Sequence, residues 1–235
     1  MKRIKNQIII VFSLLMLCGC TAYYPQLVHI PLIEGQGDLK IDWTNFLALG
    51  GLDEEDGARH GLVGGTLTAT YGATDWLAVQ GYMGFDILGR AHLQGALGIF
   101  NKFDNKTVIE LYGGYGIGRS GWKDDKSGNY VDGSYQLTFA QFNIGQNGIG
   151  SPNLDYGFGL KSGYIFGTHK AEKQNDGWVV EPSAFLRFGG EKIKISIQVN
   201  YLWTKTVSEN YYYPLGIGFG LHLNLNTKGK AKNEM

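Results

Sequence analysis

Ile193-Lys194-Ile195-Ser196-Ile197-Gln198-Val199-Asn200-Tyr201 and, after a polar connection, Leu215-Gly216-Ile217-Gly218-Phe219-Gly220-Leu221-His222-Leu223-Asn224-Leu225 decide the fold. Every odd position is a large apolar residue. The even positions hold Lys, Ser, Gln, Asn, Gly and His. Period two is the mark of a β-strand with one oily and one polar face. The oily face carries no charge, and its opposite suits a narrow wet lumen better than an open surface. This pattern predicts the closing hairpin of a transmembrane β-barrel in a bacterial outer membrane.

Upstream, the same alternation recurs. Strands are predicted at about 38–49 (Leu39, Ile41, Trp43, Leu47 and Leu49 on one face), then around Val63 to Tyr71, Leu77 to Phe85, and 92–102. Further strands follow at Ile109 to Ile117, 135–145, Tyr156 to Phe166, and Trp178 to Phe188. A change of phase near Ala140 reads as a bulge. With the last hairpin this makes about ten strands, an all-β, antiparallel, up-and-down barrel over residues 37–226, with a tail at 227–235. Connections after even strands are short, and three of the five after odd strands are longer and more polar. Bacterial barrels place short turns in the periplasm and longer loops outside. Aromatics gather at both strand ends: Tyr71, Trp76, Phe103, Tyr156 and Phe188 at the turn rim, Trp178, Trp203, Tyr211 and Tyr213 at the loop rim. Such rings favour the headgroup level.

Composition agrees. Charged residues are 18% of the chain, below the roughly 25% of soluble domains. The 36 glycines are far above the usual share, but 13% aromatics at alternating positions argue for a packed barrel over disorder. Three of the 21 basic residues and none of the 21 acidic ones precede Cys20, leaving a formal charge of about −3 beyond it. No basic patch calls for a nucleic-acid partner.

The chain opens with Lys2, Arg3 and Lys5, an apolar run from Ile8 to Leu17, and then Leu17-Cys18-Gly19-Cys20. The run is too short to cross a bilayer and fits a signal peptide, residues 1–19. Its ending resembles a lipobox, with Cys20 as the acylated residue. Both cysteines fall in this window, so no disulfide framework exists beyond it. Residues 20–36, with Pro25 and Pro31 and no sustained period, read as a lipidated tether between membrane and barrel.

Tyr71-Gly72-Ala73-Thr74-Asp75-Trp76-Leu77-Ala78-Val79 and Ile109-Glu110-Leu111-Tyr112-Gly113-Gly114-Tyr115-Gly116-Ile117-Gly118 resemble the small outer-membrane β-barrel proteins of the Bacteroidota, often lipoproteins. The resemblance spans roughly residues 23–225. Gly220 to Leu225 likewise resembles the terminal signal read by the barrel-assembly machinery, which it implies as a partner during biogenesis, alongside outer-membrane lipids. Thr21-Ala22-Tyr23-Tyr24 lacks the acidic run that sends some Bacteroidota lipoproteins to the cell surface, so the lipid is expected on the periplasmic side.

A soluble lipocalin-like lipoprotein would turn the oily face inward, but ten strands of large apolar side chains would overfill so narrow an interior. The polar set therefore faces in, and its opposite charges are expected to pair, because an unpaired buried charge is costly. The expected lumen network is Glu110, Arg187, Lys194, Lys161, Glu181 and His222, with Lys192 also inward, plugging the barrel. The function expected is a structural or interaction barrel, its protein partner unknown. Alternatives are a small-solute channel, a periplasmic ligand-binding lipoprotein, and an outer-membrane enzyme using Asp53 to Asp56 with Arg59 and His60, or His169 with Asp176. No phosphate loop, nucleophile elbow, zinc-ligand spacing or calcium loop is present, so no catalytic residue, metal or cofactor is expected.

Overall fold

The computed structural model describes residues 27–52, 59–87, 90–103, 106–123, 130–149, 153–169, 177–204 and 214–226. Its strands are β1 Asp38–Leu52, β2 Arg59–Gly72, β3 Leu77–Asp86, β4 Ala91–Phe103, β5 Thr107–Lys123, β6 Tyr130–Ile149, β7 Asn153–His169, β8 Gly177–Gly189, β9 Ile193–Tyr201, β10 Trp203–Thr204 and β11 Leu215–Asn226. Segment β10 continues β9 beyond Leu202, so the eleven segments form ten barrel strands. Each pairs antiparallel with its neighbours, and β11 pairs with β1 from Asp38↔Asn226 to Leu49↔Leu215, which closes the sheet. Among the described residues there is no helix.

Alternation places Trp43, Leu67, Val79, Leu97, Leu111, Phe158, Ile195 and Phe219 outside, all exposed, and puts the polar set inside. Even the shortest unbroken strands, β9 and β3, have 9 and 10 residues, enough to cross a hydrocarbon layer when tilted. Tyr71, Trp76, Phe103, Tyr156 and Phe188 are exposed where the strands meet the short turns, and Trp178 and Trp203 near the opposite end. Tyr211 and Tyr213, residues 1–26 with the signal peptide and Cys20, and the tail lie outside the described residues.

Three expectations change. The bulge near Ala140 is absent: β6 stays in register with β5 from Lys123↔Tyr130 to Thr107↔Gln146, and its pairing with β7 shifts only between Gln146 and Ile149. What switches at Ala140 is the lumen. Tyr135, Leu137 and Phe139 face in and join a buried cluster with Tyr112, Ile165, Val179 and Leu202, so the interior turns apolar while the strand keeps its phase. Lys192 is exposed in the β8–β9 turn.

The third change concerns the tether. Leu27, Val28, His29, Ile30, Leu32 and Ile33 are all at most 5% exposed and lie inside the barrel. Residues 27–33 are an inserted segment, and the part of the expected tether before Leu27 lies outside the described residues.

Candidate functional site

Inside the barrel the inserted segment belongs to no strand, so its backbone must find other partners. Wall side chains supply them. Gln198 Nε2 donates to the Val28 carbonyl at 2.6 Å, Gln141 Nε2 to that of His29 at 2.6 Å, and Arg187 Nη2 to that of Ile30 at 2.8 Å. Asn147 Nδ2 donates to the Leu32 carbonyl at 3.1 Å, and the Ile33 N–H donates to Glu110 Oε1 at 2.7 Å. Pro31 brings no N–H to satisfy. The donors and acceptor come from β5, β6, β8 and β9, which explains why long amides and charges occupy inward positions on those strands.

Apolar side chains of the segment sit over inward glycines. A Cβ added at Gly159 would meet Ile30 Cδ1 at 2.8 Å, one at Gly145 would meet Leu32 Cδ1 at 2.8 Å, and one at Gly218 would meet Leu27 Cδ1 at 2.5 Å. The glycine richness of β6, β7 and β11 thus has a steric purpose: bare backbone makes pits for the segment. Leu32 holds φ 55°, a left-handed conformation costly for a branched residue. Such strain persists where surrounding contacts over-determine it, as the Gly145 pit and Asn147 do here.

Charges pair around this core. Asp42 on β1 is the hub, with His222 Nδ1 at 2.9 Å, His29 Nδ1 at 3.0 Å and Arg187 Nη2 at 3.4 Å. His29 also lies 2.9 Å from Thr70 Oγ1 and 2.8 Å from Thr68 Oγ1. Lys161 faces Glu181 across β7 and β8 at 3.3 Å, and its ammonium stands 4.9 Å from the Phe139 ring centre. Lys194 pairs with Asp155, and Arg90 with Asp86. At the turn end Glu34 meets Lys102 at 2.7 Å.

The expected network is therefore divided. Arg187 and His222 share Asp42, Lys161 and Glu181 pair with each other, and Lys194 goes to Asp155. Among the described residues Glu110 forms no ion pair; besides Ile33 it accepts from Asn143 Nδ2 at 2.8 Å and Tyr112 Oη at 3.3 Å. Sequence reasoning missed His29, Asp155, Gln141, Asn143 and Asn147. The signal for His29 was available: Leu27-Val28-His29-Ile30-Pro31-Leu32-Ile33 is too apolar for a solvated tether. The loop residues weighed for catalysis, Asp53 to Asp56 and His169 with Asp176, fall outside the described side chains, as do those of Arg59 and His60.

Replacing Glu110 with alanine leaves the buried Ile33 N–H without its acceptor and is expected to cost about 1–3 kcal/mol. Glu110→Gln keeps an acceptor oxygen and should recover most of it. Urea unfolding of the barrel in detergent micelles, comparing the two variants, is the check.

Together these features define a closed ten-stranded antiparallel β-barrel with an apolar outer face and an interior, part polar and part apolar, occupied by residues 27–33 of its own chain. No protein-family model and no curated protein matches the chain. Among solved structures it is similar to the translocator domain of the autotransporter NalP from Neisseria meningitidis, at 12% identity and a TM-score of 0.39, over 81% of this chain and 89% of that one.

Proposed function

We propose that the chain is an outer-membrane β-barrel lipoprotein, closed to passive flow by residues 27–33, with a structural or interaction role played through its loop end. The observation that carries this reading is the two-sided wall. Large apolar side chains stand exposed around the outside, from Trp43 at 59% to Leu97 at 60% and Phe219 at 58%, while Lys40, Lys161, Glu181 and Arg187 are buried inside. Exposed apolar area on this scale is unstable in water and marks a surface meant for lipid. A filled lumen speaks against a standing channel, and against a lipocalin-like cup with room for a ligand. Outer-membrane lipids and the assembly machinery are the partners this reading requires, and Cys20 carries the lipid.

The test is fractionation with heat-modifiability. The protein should remain in the outer-membrane fraction after alkaline washing and run faster on a gel unboiled than boiled. Purified protein in a planar bilayer should show no steady conductance. Release by washing with no mobility shift would overturn the membrane reading, and stable conductance steps would favour the channel.

A further inference from the structure

The inserted segment has a direction. Glu34 stands at the turn end, bound to Lys102, with Gln36 at the β2–β3 turn through Asp75 and the Ala73 carbonyl. Going back along the chain, Ile33 meets Glu110 and Gly72, Ile30 meets Arg187 and Gly159, and His29 meets Asp42. Leu27 packs with Phe46, Ala48 and Leu62, beside Gly216 and Gly218. Gly216 follows directly on Leu215, the loop-end residue of β11. Seven steps from Glu34 to Leu27 thus carry the backbone from the turn end toward the loop end of the wall, a climb of at most roughly 23 Å, shortened by the left-handed Leu32.

Beside the segment the lumen is filled among the described residues: Phe100, Tyr112, Tyr135, Leu137, Phe139, Ile165 and Val179 are buried on the other strands, which crowds any return of the chain to the turn end. We infer that the protein is threaded through its own barrel: the chain before Leu27 leaves at the loop end, opposite Asn226, and Cys20 delivers its lipid to the outer leaflet. Cys20 precedes Leu27 by seven residues, about 23 Å of extended chain, enough to clear the rim and reach the membrane. The lipid's location rests on the lipoprotein reading, and the name "outer" rests on the barrel orientation. This placement is the alternative to the periplasmic one expected from a tether outside the barrel.

Cysteine labelling separates these layers. Tyr24→Cys and, in a second variant, Lys228→Cys are exposed to a membrane-impermeant maleimide on intact cells and again after permeabilisation. Neither position lies in the wall or lumen described above. Threading predicts that the two report opposite sides: Tyr24→Cys labelled on intact cells, Lys228→Cys only after permeabilisation. The reverse pattern would keep the threading and overturn the barrel orientation. Both cysteines on one side of the membrane would overturn the threading itself. Mass measurement of the wild-type N-terminal peptide tests the lipid separately: an unmodified Cys20 would end the lipoprotein reading and the outer-leaflet anchor while leaving the labelling result intact.

Discussion

Replacing residues 27–33 with a glycine-serine run of equal length is expected to turn a silent barrel into one that shows discrete conductance steps in a planar bilayer. The segment contributes five almost wholly buried apolar side chains, Leu27, Val28, Ile30, Leu32 and Ile33, each stabilising by about 1.5–3 kcal/mol. That gain is largely offset by the roughly 1–2 kcal/mol per residue needed to order the backbone. Net stability therefore falls less than the contacts imply. Water entering around the bare glycine-serine backbone also competes for Gln198, Gln141, Arg187 and Glu110, whose bonds to the segment are to its backbone. Conductance is the larger effect, because the five buried apolar side chains that fill the lane are gone. The cluster from Phe100 to Val179 stays in place, so the opened path is only the space vacated by the five side chains, narrower than the roughly 5 Å width of a strand. Small ions should pass and disaccharides should not. A folded variant without conductance would mean that other groups seal the lumen.

Substituting Asp42 with alanine is expected to be the most destabilising single change. It strips Arg187 of its carboxylate and leaves His222 and His29 facing an empty site. Removing one partner of a buried pair costs about 3–5 kcal/mol, chiefly because the remaining charge stays buried and unpaired. Arg187 is 2% exposed and stacked on the Phe185 ring, with 4.2 Å from Cζ to the ring centre, so it cannot swing into water. The temperature at which the fast-running gel form is lost should drop sharply in Asp42→Ala. Adding Arg187→Met should restore part of it, since the orphaned charge is then gone. Equal loss in the single and double variants would show that Asp42 acts by packing alone.

The wall was legible because its rule is local. Alternation along Ile193–Tyr201 assigns each side chain to a face without knowledge of any other strand, and the short turns at 73–76 and 190–192 follow from their own residues. Pairing inside the lumen was legible only where partners sit opposite on adjacent strands, as Lys161↔Glu181 and Asp42↔His222 do. Arg187 shows why the rest was hidden. Its neighbour in register is Asp155, yet its guanidinium crosses to Asp42 while Asp155 takes Lys194. Such choices depend on barrel shear and on what fills the centre. The inserted segment left no periodic trace, because an extended chain held by side chains repeats nothing. Its apolar run and the inward amides were two halves of one message, more than a hundred residues apart. The misread bulge has the same origin: Tyr135, Leu137 and Phe139 look out of phase only if the lumen is polar throughout.

The seam between β1 and β11, running from Asp38↔Asn226 to Leu49↔Leu215, joins the first strand to the last. The residues just before β1 already lie within the ring that this seam completes. On the lipoprotein reading proposed above, the acylated end is far too bulky to be drawn afterwards through a lane one peptide wide. That reading sets a fixed order of biogenesis: the segment is laid into an open, curling sheet, Gln141, Asn147, Arg187 and Gln198 take hold of it, and the final strand zips shut around it. Closure then acts as a latch, after which the leader can be neither withdrawn nor replaced without breaking the wall.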